Sequence, residues 1–151
     1  LRDFGHQTWA AFTVGFDHDS RESILATEAF ARENKLTFAA FNILMPYPGT
    51  PLYEKMRREK RLLYDEKWWL HPEYHFNHAA FIPKLMTPDE LTEVAFEVRS
   101  RFNSLSSIFA RAFDLKTNMR TPYRLGTYLA YNPLFRKETF KKQGMLLGRD
   151  H

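Results

Sequence analysis

The sequence predicts an α/β fold with parallel strands, and three observations carry that prediction. Two mostly apolar, aromatic-rich runs indicate strands buried on both faces, Gln7 to Phe16 and Leu36 to Met45. Between these runs, apolar residues recur at helical spacing, at Ile24, Leu25, Ala29 and Phe30. A turn rich in proline and glycine then leads into a second helix signal. Two neighbouring strands joined by an amphipathic helix predict a parallel crossover.

Residues 1–63 are predicted to run β-α-β-α. Asp19 or Ser20 is the expected N-cap of the first helix, which ends at "NK". The stretch "FNILMPYPGTPLYEKM" contains the end of the second strand, a rigid turn and a helix start. Thr50 is the expected N-cap there, and Pro51 suits the first helical position, where its missing N–H costs nothing. Such a unit cannot close a barrel alone and leaves strand edges unpaired.

The pattern changes after this unit. Residues 64–86 are aromatic-rich without clear periodicity and are predicted to be irregular, with a short strand near His78 to Ile82. Thr87 and Glu90 form a capping-box signal for a helix running to about Phe113. Its expected buried side comprises Leu91, Val94, Ala95, Val98, Phe102, Leu105, Ile108 and Phe109. A shorter helix from "TPYRLG" should stop near Pro133, before a loose basic tail.

Composition narrows the function classes. The chain has 151 residues, of which 44% are hydrophobic, and this is enough for one packed domain. No apolar run reaches the length of a membrane span. There is no cysteine, which excludes disulfides, thiolate zinc sites and cysteine-ligated iron–sulfur clusters within this chain and fits a cytoplasmic protein. Because the chain begins at Leu1 and shows no leader, we expect it to be an excised piece of a longer protein.

Charge is distributed unevenly along the chain. Residues 1–98 contain 11 Lys and Arg against 15 Asp and Glu, a net of −4. Residues 99–151 contain 11 against 3, a net of +8. The C-terminal third therefore suits an anionic partner or an acidic surface elsewhere in the same protein. Its cations alternate with aromatic residues, a mixture typical of nucleic-acid or membrane-surface binding, although a solvated face is an equal alternative. These cations are Arg111, Lys116, Arg120, Arg124, Arg136, Lys137, Lys141 and Lys142.

Polar side chains near the strand ends are the first candidate site, since ligands of parallel sheets bind at the C-terminal ends of strands. Alternation places Thr13 on a face with Trp9, Ala11 and Gly15, and Asn42 on a face with Phe38, Ala40 and Leu44. These two faces should line a barrel or cleft, while a helix covers the opposite ones. The alternative is that Thr13 and Asn42 only satisfy buried backbone groups.

Two other polar clusters have structural alternatives. His71, His75 and His78 have metal-ligand spacing on a helix, but Pro72 argues against a helix there, so ordinary polar or packing roles are favoured. The run Asp17-His18-Asp19 could perform acid–base chemistry, but capping the first helix is the favoured role.

At the strand ends the sequence resembles the radical SAM superfamily of Fe–S oxidoreductases. "FTVGFDHDS" is similar to the fifth-strand motif of that family, in which Gly15 takes the second glycine and Asp19 the acid. "FNILMPYPGTPLYEKM" is similar to the sixth strand and its exit. "RLLYDEKWWLHPEY" and "FIPKLMTPDEL" resemble the C-terminal extension of the group with an N-terminal cobalamin-binding domain. The resemblance implies a partial (β/α) barrel over residues 1–63, an irregular connection over 64–86, and a helical C-terminal extension over 87–151.

The resemblance also implies cofactors and site residues. In the family, a [4Fe–4S] cluster held by C-x3-C-x2-C cleaves S-adenosylmethionine to a 5′-deoxyadenosyl radical. Its last two strands contact the adenosine end of that cofactor, which here implies Thr13 and Gly15, then Asn42, Leu44 and Met45. This chain lacks the cluster cysteines, so alone it should be inactive and bind no cofactor. Ala11 and Thr13 depart from the family's fifth-strand pattern, where a glycine and an aliphatic residue stand.

Two hypotheses follow. The first is a C-terminal piece of a radical SAM enzyme, with cobalamin as a further candidate cofactor. Its expected partners are the N-terminal part of the same chain, a small-molecule or lipid substrate, and a membrane surface contacted peripherally; nucleic acid is not favoured. The alternative is a non-catalytic binding module whose basic, aromatic tail docks on an anionic partner or membrane surface.

Overall fold

A computed structural model describes residues 2–146, and its centre is a two-stranded parallel sheet. Strand β1 (Trp9–Val14) pairs with β2 (Phe38–Ile43) in a register that runs from Trp9 opposite Phe38 to Val14 opposite Ile43. Helix α1 (Arg21–Glu33) connects the strands. The parallel β-α-β unit predicted from the sequence is confirmed. Two strands form an open sheet, and no closed barrel exists within the described residues.

The predicted helix starts are largely confirmed, because each has its capping group in place. Ser20, rather than Asp19, caps α1, and its hydroxyl accepts the N–H of Ser23. Helix α2 (Pro51–Arg58) begins after Thr50, whose hydroxyl accepts the N–H of Tyr53 at 3.2 Å. Helix α3 (Pro88–Phe102) begins with the predicted capping box of Thr87 and Glu90. Each of these hydroxyls satisfies one of the four N–H groups that a helix start leaves unpaired.

The main hydrophobic core lies between one face of the sheet and helices α1 and α3. Phe41 is fully buried there, with its ring 5.2 Å from that of Phe12 and 5.6 Å from that of Phe102. From α3, the predicted core residues Leu91, Val94, Ala95, Val98 and Phe102 are all buried. The predicted stripe of α1 is wrong in part: Phe30 is exposed, and the buried positions are Ile24, Glu28 and Ala31.

The long helix predicted from residue 87 to residue 113 is two helices. The first, α3, ends at Phe102, and α4 (Leu105–Ala112) starts after Ser104, whose hydroxyl accepts the N–H of Ser107 at 3.2 Å. Because the break rotates the second helix relative to the first, two predicted core residues, Leu105 and Phe109, are exposed. Ile108 is buried as predicted.

Helix α5 (Pro122–Lys142) continues through Pro133, where the sequence predicted a stop. A proline inside a helix leaves the carbonyl four residues earlier without its N–H partner. That residue is Leu129, which is exposed, so water can satisfy its carbonyl. Tyr128 and Asn132, which lie four residues apart on an adjacent side of the helix, are fully buried and fix it to the fold. Residues 147–151, the end of the predicted basic tail, lie outside the described residues.

The segment between α2 and α3 is irregular, as predicted. It contains two 3₁₀ turns, Tyr64–Glu66 and Trp68–Leu70. It also contains a small buried hydrophobic cluster of Trp68, Tyr74 and Ala80. The predicted strand near His78 to Ile82 is wrong. Only one isolated antiparallel bridge forms there, between Leu62 and Phe81.

The residues before β1 are held against the segment that leads into α5. The guanidinium of Arg2 pairs with Asp114 at 3.1 Å, and Lys116 pairs with Asp3 at the same distance. The side chains of Arg120 and Arg124 donate hydrogen bonds to the backbone carbonyls at residues 4 and 5. We call this set of contacts the N-terminal clasp.

None of the helices within residues 2–146 combines the length and the apolar character that crossing a bilayer requires.

Candidate functional site

The sheet face opposite α1 and α3 is the main candidate site. Thr13 and Asn42 are both exposed, and they are register partners on adjacent strands. Because side chains alternate along a strand and parallel neighbours at one level project to the same side, these two polar groups lie next to each other. Ala11 is also exposed on this face and Ala40 is half-buried. The structure therefore presents a patch of small and polar side chains near the C-terminal ends of both strands.

Helix α5 covers the other end of this face. The ring of Phe135 lies 5.5 Å from that of Trp9 and 5.3 Å from that of Phe38. The ring of Tyr131 contacts Phe38 edge-on at 6.3 Å. The aromatic residues thus cover the start of each strand, and the strand ends with Thr13 and Asn42 stay open.

Gly15 lies beyond the end of β1 and is buried. Its φ of +102° is a backbone conformation that L side chains rarely adopt, and a Cβ there would lie 2.8 Å from Leu91 Cδ2. Its N–H donates to Asp19 Oδ2 at 2.8 Å, as does the N–H of Phe16 at 2.9 Å. Leu91 of α3 therefore fills the space that a side chain at residue 15 would need. Gly15 does not extend the exposed face of the sheet that carries Thr13. Asp19 fixes this turn through its carboxylate.

Leu44 and Met45 follow β2 and are half-buried. The N–H of Leu44 donates to the carbonyl of Val14 at 2.8 Å, which extends the pairing by one residue. Leu44 packs against the main core, and Met45 packs against the Trp68 cluster. The indole N–H of Trp68 donates to the carbonyl of Pro46 at 3.1 Å. The aromatic connection thereby fixes the exit of β2 beside the candidate site.

Asp17 is the centre of an ion cluster that sequence reasoning missed. Lys55 Nζ and Arg61 Nη1 each lie 2.7 Å from its carboxylate oxygens, and Lys84 Nζ lies at 3.2 Å. Hydrogen bonds from Lys55 and then Arg61 hold the pKa of Asp17 well below its ordinary value of 3.8, against the opposing effect of burial. A carboxylate held ionised by three cations joins the strand end to α2 and is a poor general acid.

Replacing Asp17 with asparagine is expected to lower the free energy of unfolding at pH 7 on the order of 1 kcal/mol. Because the folded-state pKa of Asp17 is depressed, its contribution is present above about pH 4 and is lost as the pH falls. The difference between wild type and Asp17→Asn should therefore shrink between about pH 5 and pH 2. Urea unfolding over this range measures it, with the exposed Asp65→Asn as control; a difference that stays constant with pH would contradict the assignment.

The histidine cluster does not form a metal site in the part of the chain that the structure describes. The rings of His75 and His78 are 5.3 Å apart, and the segment is not helical. Burial, and then the neighbouring His75, lower the pKa of His78. The helical spacing on which the metal hypothesis depends is therefore absent from this segment.

Most of the basic residues in the C-terminal third bind groups of this chain. Besides the cations of the N-terminal clasp, Arg136 donates to the carbonyl of Asn103 at 3.0 Å, and Lys142 pairs with Glu138 at 2.6 Å. Arg111 is fully buried. Much of the net positive charge of this region is therefore used within the fold.

Arg99 is a second residue that sequence reasoning missed. It lies four residues after Ala95 and three before Phe102, at a position of the apolar stripe of α3, and is only 7% exposed. The signal was present in the sequence, because a charged residue at a buried helical position is rare unless it has a partner.

Comparisons with known proteins show distant enzyme relatives. The chain is 33% identical over 100 residues to the bacteriochlorophyllide d C-12(1)-methyltransferase of Chlorobaculum tepidum, a match covering 66% of this chain and 21% of the relative. It is 27% identical over 131 residues to the anaerobic magnesium-protoporphyrin IX monomethyl ester cyclase of Cereibacter sphaeroides, covering 87% of this chain and 20% of the relative.

A shorter match is to an uncharacterized methyltransferase of Pyrococcus horikoshii, with 40% identity over 53 residues, which is 35% of this chain and 12% of the relative. The chain thus spans about a fifth or less of the length of the curated relatives it matches. No protein-family model matches the chain. No solved structure matches it either.

Proposed function

We propose that this chain is the C-terminal part of a radical SAM enzyme, in which β1 and β2 are the last two strands of a (β/α) barrel. The observation that carries the proposal is the parallel β-α-β unit that exposes Thr13 and Asn42 side by side at the strand ends, on the part of the face that α5 leaves uncovered. The distant similarity to methyltransferases and a cyclase supports this superfamily at a coarse level. The coverage of about a fifth of each longer relative supports the view that the rest of the enzyme lies elsewhere.

The residues of the candidate site fit the adenosyl end of S-adenosylmethionine. Thr13 and Asn42 offer a hydroxyl and an amide, which can donate to or accept from ribose and adenine groups. Leu44 and Met45 offer half-buried apolar side chains at the end of β2. Gly15 would act indirectly, by letting α3 pack closely behind the strand end. When bound, the cofactor supplies the reactive group, and these residues orient it and exclude water.

The chain does not fit the iron–sulfur cluster, because it contains no cysteine. The ligands of the cluster must then belong to another part of the protein. No residue described here identifies a cobalamin contact, so cobalamin enters the proposal only through the resemblance.

We propose methyl transfer or another radical modification of a poorly reactive carbon as the reaction class. The names of two relatives specify a bacteriochlorophyllide and a magnesium-protoporphyrin ester. We propose that the enzyme to which this chain belongs likewise acts on a large and mainly apolar substrate. A lipid is a further example of such a substrate.

The test uses the full-length protein with its cluster reconstituted. Asn42→Leu is expected to raise the KM for S-adenosylmethionine about 10-fold or more in a 5′-deoxyadenosine assay, because a lost hydrogen bond to a buried ligand costs on the order of 1–3 kcal/mol. Asn34→Leu, before the opposite end of β2, is the matched control and should leave KM unchanged. A full-length sequence without C-x3-C-x2-C, or equal KM values for both variants, would contradict the proposal.

The alternative remains a non-catalytic module that docks on an anionic or membrane surface. The exposed Leu105 and Phe109 favour it, because their spacing of four places them along one side of α4. Cosedimentation with anionic vesicles, abolished by charge reversal at Lys137, Lys141 and Lys142, would support this alternative.

A further inference from the structure

Arg99 is a buried cation that has no charged partner among residues 2–146. Its Nε donates to the carbonyl of Ala95 at 2.9 Å. Its Nη2 is buried and has no hydrogen-bond partner within the described residues. No carboxylate within residues 2–146 lies within ion-pair distance of this guanidinium. One hydrogen bond therefore serves a group that has five N–H donors.

Such an arrangement is costly, because taking a charged group out of water without compensation opposes folding. Burial lowers the pKa of Arg99 to about 10, so the guanidinium remains charged at neutral pH. A methionine or leucine at this position would complete the apolar side of α3 without that cost. A bound anion would compensate the charge of the guanidinium.

A cavity of about 190 Å³ lies beside Arg99, at the edge of β2 that has no neighbouring strand in the described residues. Helices α3 and α5 form two of its walls, and Phe76 and Phe135 contribute aromatic surface. Asn42 lies on the strand side, so the cavity adjoins the candidate cofactor face. Whole small-molecule sites commonly measure roughly 300–1,000 Å³, so this one suits a small molecule or one arm of a larger ligand.

The charges around the cavity select the kind of ligand. Arg99 and Lys142 are positive, and Glu138, which pairs with Lys142 at 2.6 Å, is negative. The net charge of +1 matches a monoanion better than the dianion that phosphate forms. A planar guanidinium also matches the geometry of a carboxylate, which can accept two parallel hydrogen bonds.

We propose that this cavity binds a carboxylate carried on a small apolar or aromatic body, with the guanidinium of Arg99 as its receptor. The aromatic walls contact the body of the ligand, and the carboxylate compensates the buried charge. This binding needs neither S-adenosylmethionine nor a cluster, so it can be tested independently of the proposed enzymatic activity.

Benzoate is a suitable probe, with benzamide as its neutral counterpart and inorganic phosphate as a second anion. Ligand-observed NMR on the purified protein should give a dissociation constant for benzoate at least 10-fold lower than for benzamide or phosphate. Arg99→Met should weaken benzoate binding at least 10-fold. The same variant without ligand should unfold about 2–4 °C higher than wild type, because it removes an uncompensated buried charge.

Two further variants keep the test decisive if Arg99→Met does not fold. Lys142 lies on the exposed side of α5. Lys142→Met removes one positive charge from the cavity and should weaken benzoate binding several-fold. Lys141→Met, its neighbour outside the cavity, should leave binding unchanged. Equal affinity for benzoate and benzamide, tighter binding of phosphate, or unchanged benzoate binding in Arg99→Met and Lys142→Met would overturn the proposal.

Discussion

Arg111→Met is expected to lower the free energy of unfolding by about 3 kcal/mol, because several buried acceptors lose their donor at once. The guanidinium of Arg111 donates to the carbonyls of Leu36, Thr37 and Phe102 at 2.8, 3.1 and 2.9 Å. It also donates to Ser107 Oγ at 3.2 Å and to Asn132 Oδ1 at 3.3 Å. The side chain thus joins the start of β2, the end of α3 and the middle of α5.

Whether replacing a buried arginine with methionine stabilises or destabilises the fold depends on how many hydrogen-bond acceptors the arginine has, as a comparison with Arg99 illustrates. Burial lowers the pKa of both arginines to about 10, and both remain charged. Arg111 has five acceptors and also lies 3.7 Å from the ring centroid of Phe102, where a cation–π contact adds stability. Arg99 has one acceptor among residues 2–146. The same substitution should therefore destabilise the fold at residue 111 and stabilise it at residue 99.

Urea unfolding followed by circular dichroism measures the Arg111 effect, with Arg101→Met as the control. Arg101 lies on the exposed side of α3, where it pairs with Glu97 at 2.6 Å, and its loss should cost less than about 1 kcal/mol. A destabilisation of Arg111→Met no larger than that of the control would show that the buried network contributes little.

Gly15→Ala is expected to cost about 3 kcal/mol, from two separate sources. A φ of +102° strains any L residue, on the order of 1–2 kcal/mol. The added Cβ would also lie 2.8 Å from Leu91 Cδ2, and Leu91 is fully buried, so its side chain has little room to move. Such overpacking typically costs about 1–3 kcal/mol.

Gly49→Ala separates these two sources. Gly49 also has a positive φ, +79°, but a Cβ there would have no atom within 4 Å. This control should cost only the backbone strain, about 1 kcal/mol. Thermal and urea unfolding compare the two variants. If Gly15→Ala costs no more than Gly49→Ala, then α3 yields to the extra methyl group, and close packing is not the reason for a glycine at position 15.

The sequence predicted the parts of the fold that depend on local chemistry. Thr50, Thr87 and Pro88 are capping or first-turn residues whose preferences act over a few residues, and they function as expected. The strands were recognisable as mostly apolar runs, but the burial on both faces that such runs predict is wrong, because Thr13 and Asn42 are exposed on one face of the sheet.

The errors share a different physical origin, since they involve tertiary partners that no local pattern contains. Glu28 occupies a buried position of α1 and pairs with Arg32 at 3.2 Å, which concealed the true apolar stripe. Pro133 remains inside α5 because the buried Tyr128 and Asn132, which precede it, hold the helix against the fold. The break after Phe102 is stabilised by Arg111, nine residues further along the chain, whose guanidinium binds the carbonyl of Phe102.

The candidate site was predicted in part. Strand alternation correctly placed Thr13 and Asn42 on an open face, and the register that makes them neighbours follows from parallel pairing. Alternation placed Gly15 on the same face, but β1 ends at Val14, and the chain turns towards α3. The cations around Asp17 come from three separate segments, so only the folded structure brings them together. Contacts of these residues with S-adenosylmethionine remain predictions.

The N-terminal clasp couples two distant stretches of the chain. Its hydrogen bonds and ion pairs join residues separated by more than 110 positions, from Arg2 with Asp114 to the carbonyl of Gly5 with Arg124. Fraying of the first residues would expose Asp114 and release the turn that precedes α5. The entry to β1 and the entry to α5 should therefore open and close as one cooperative unit, rather than as two independently mobile ends.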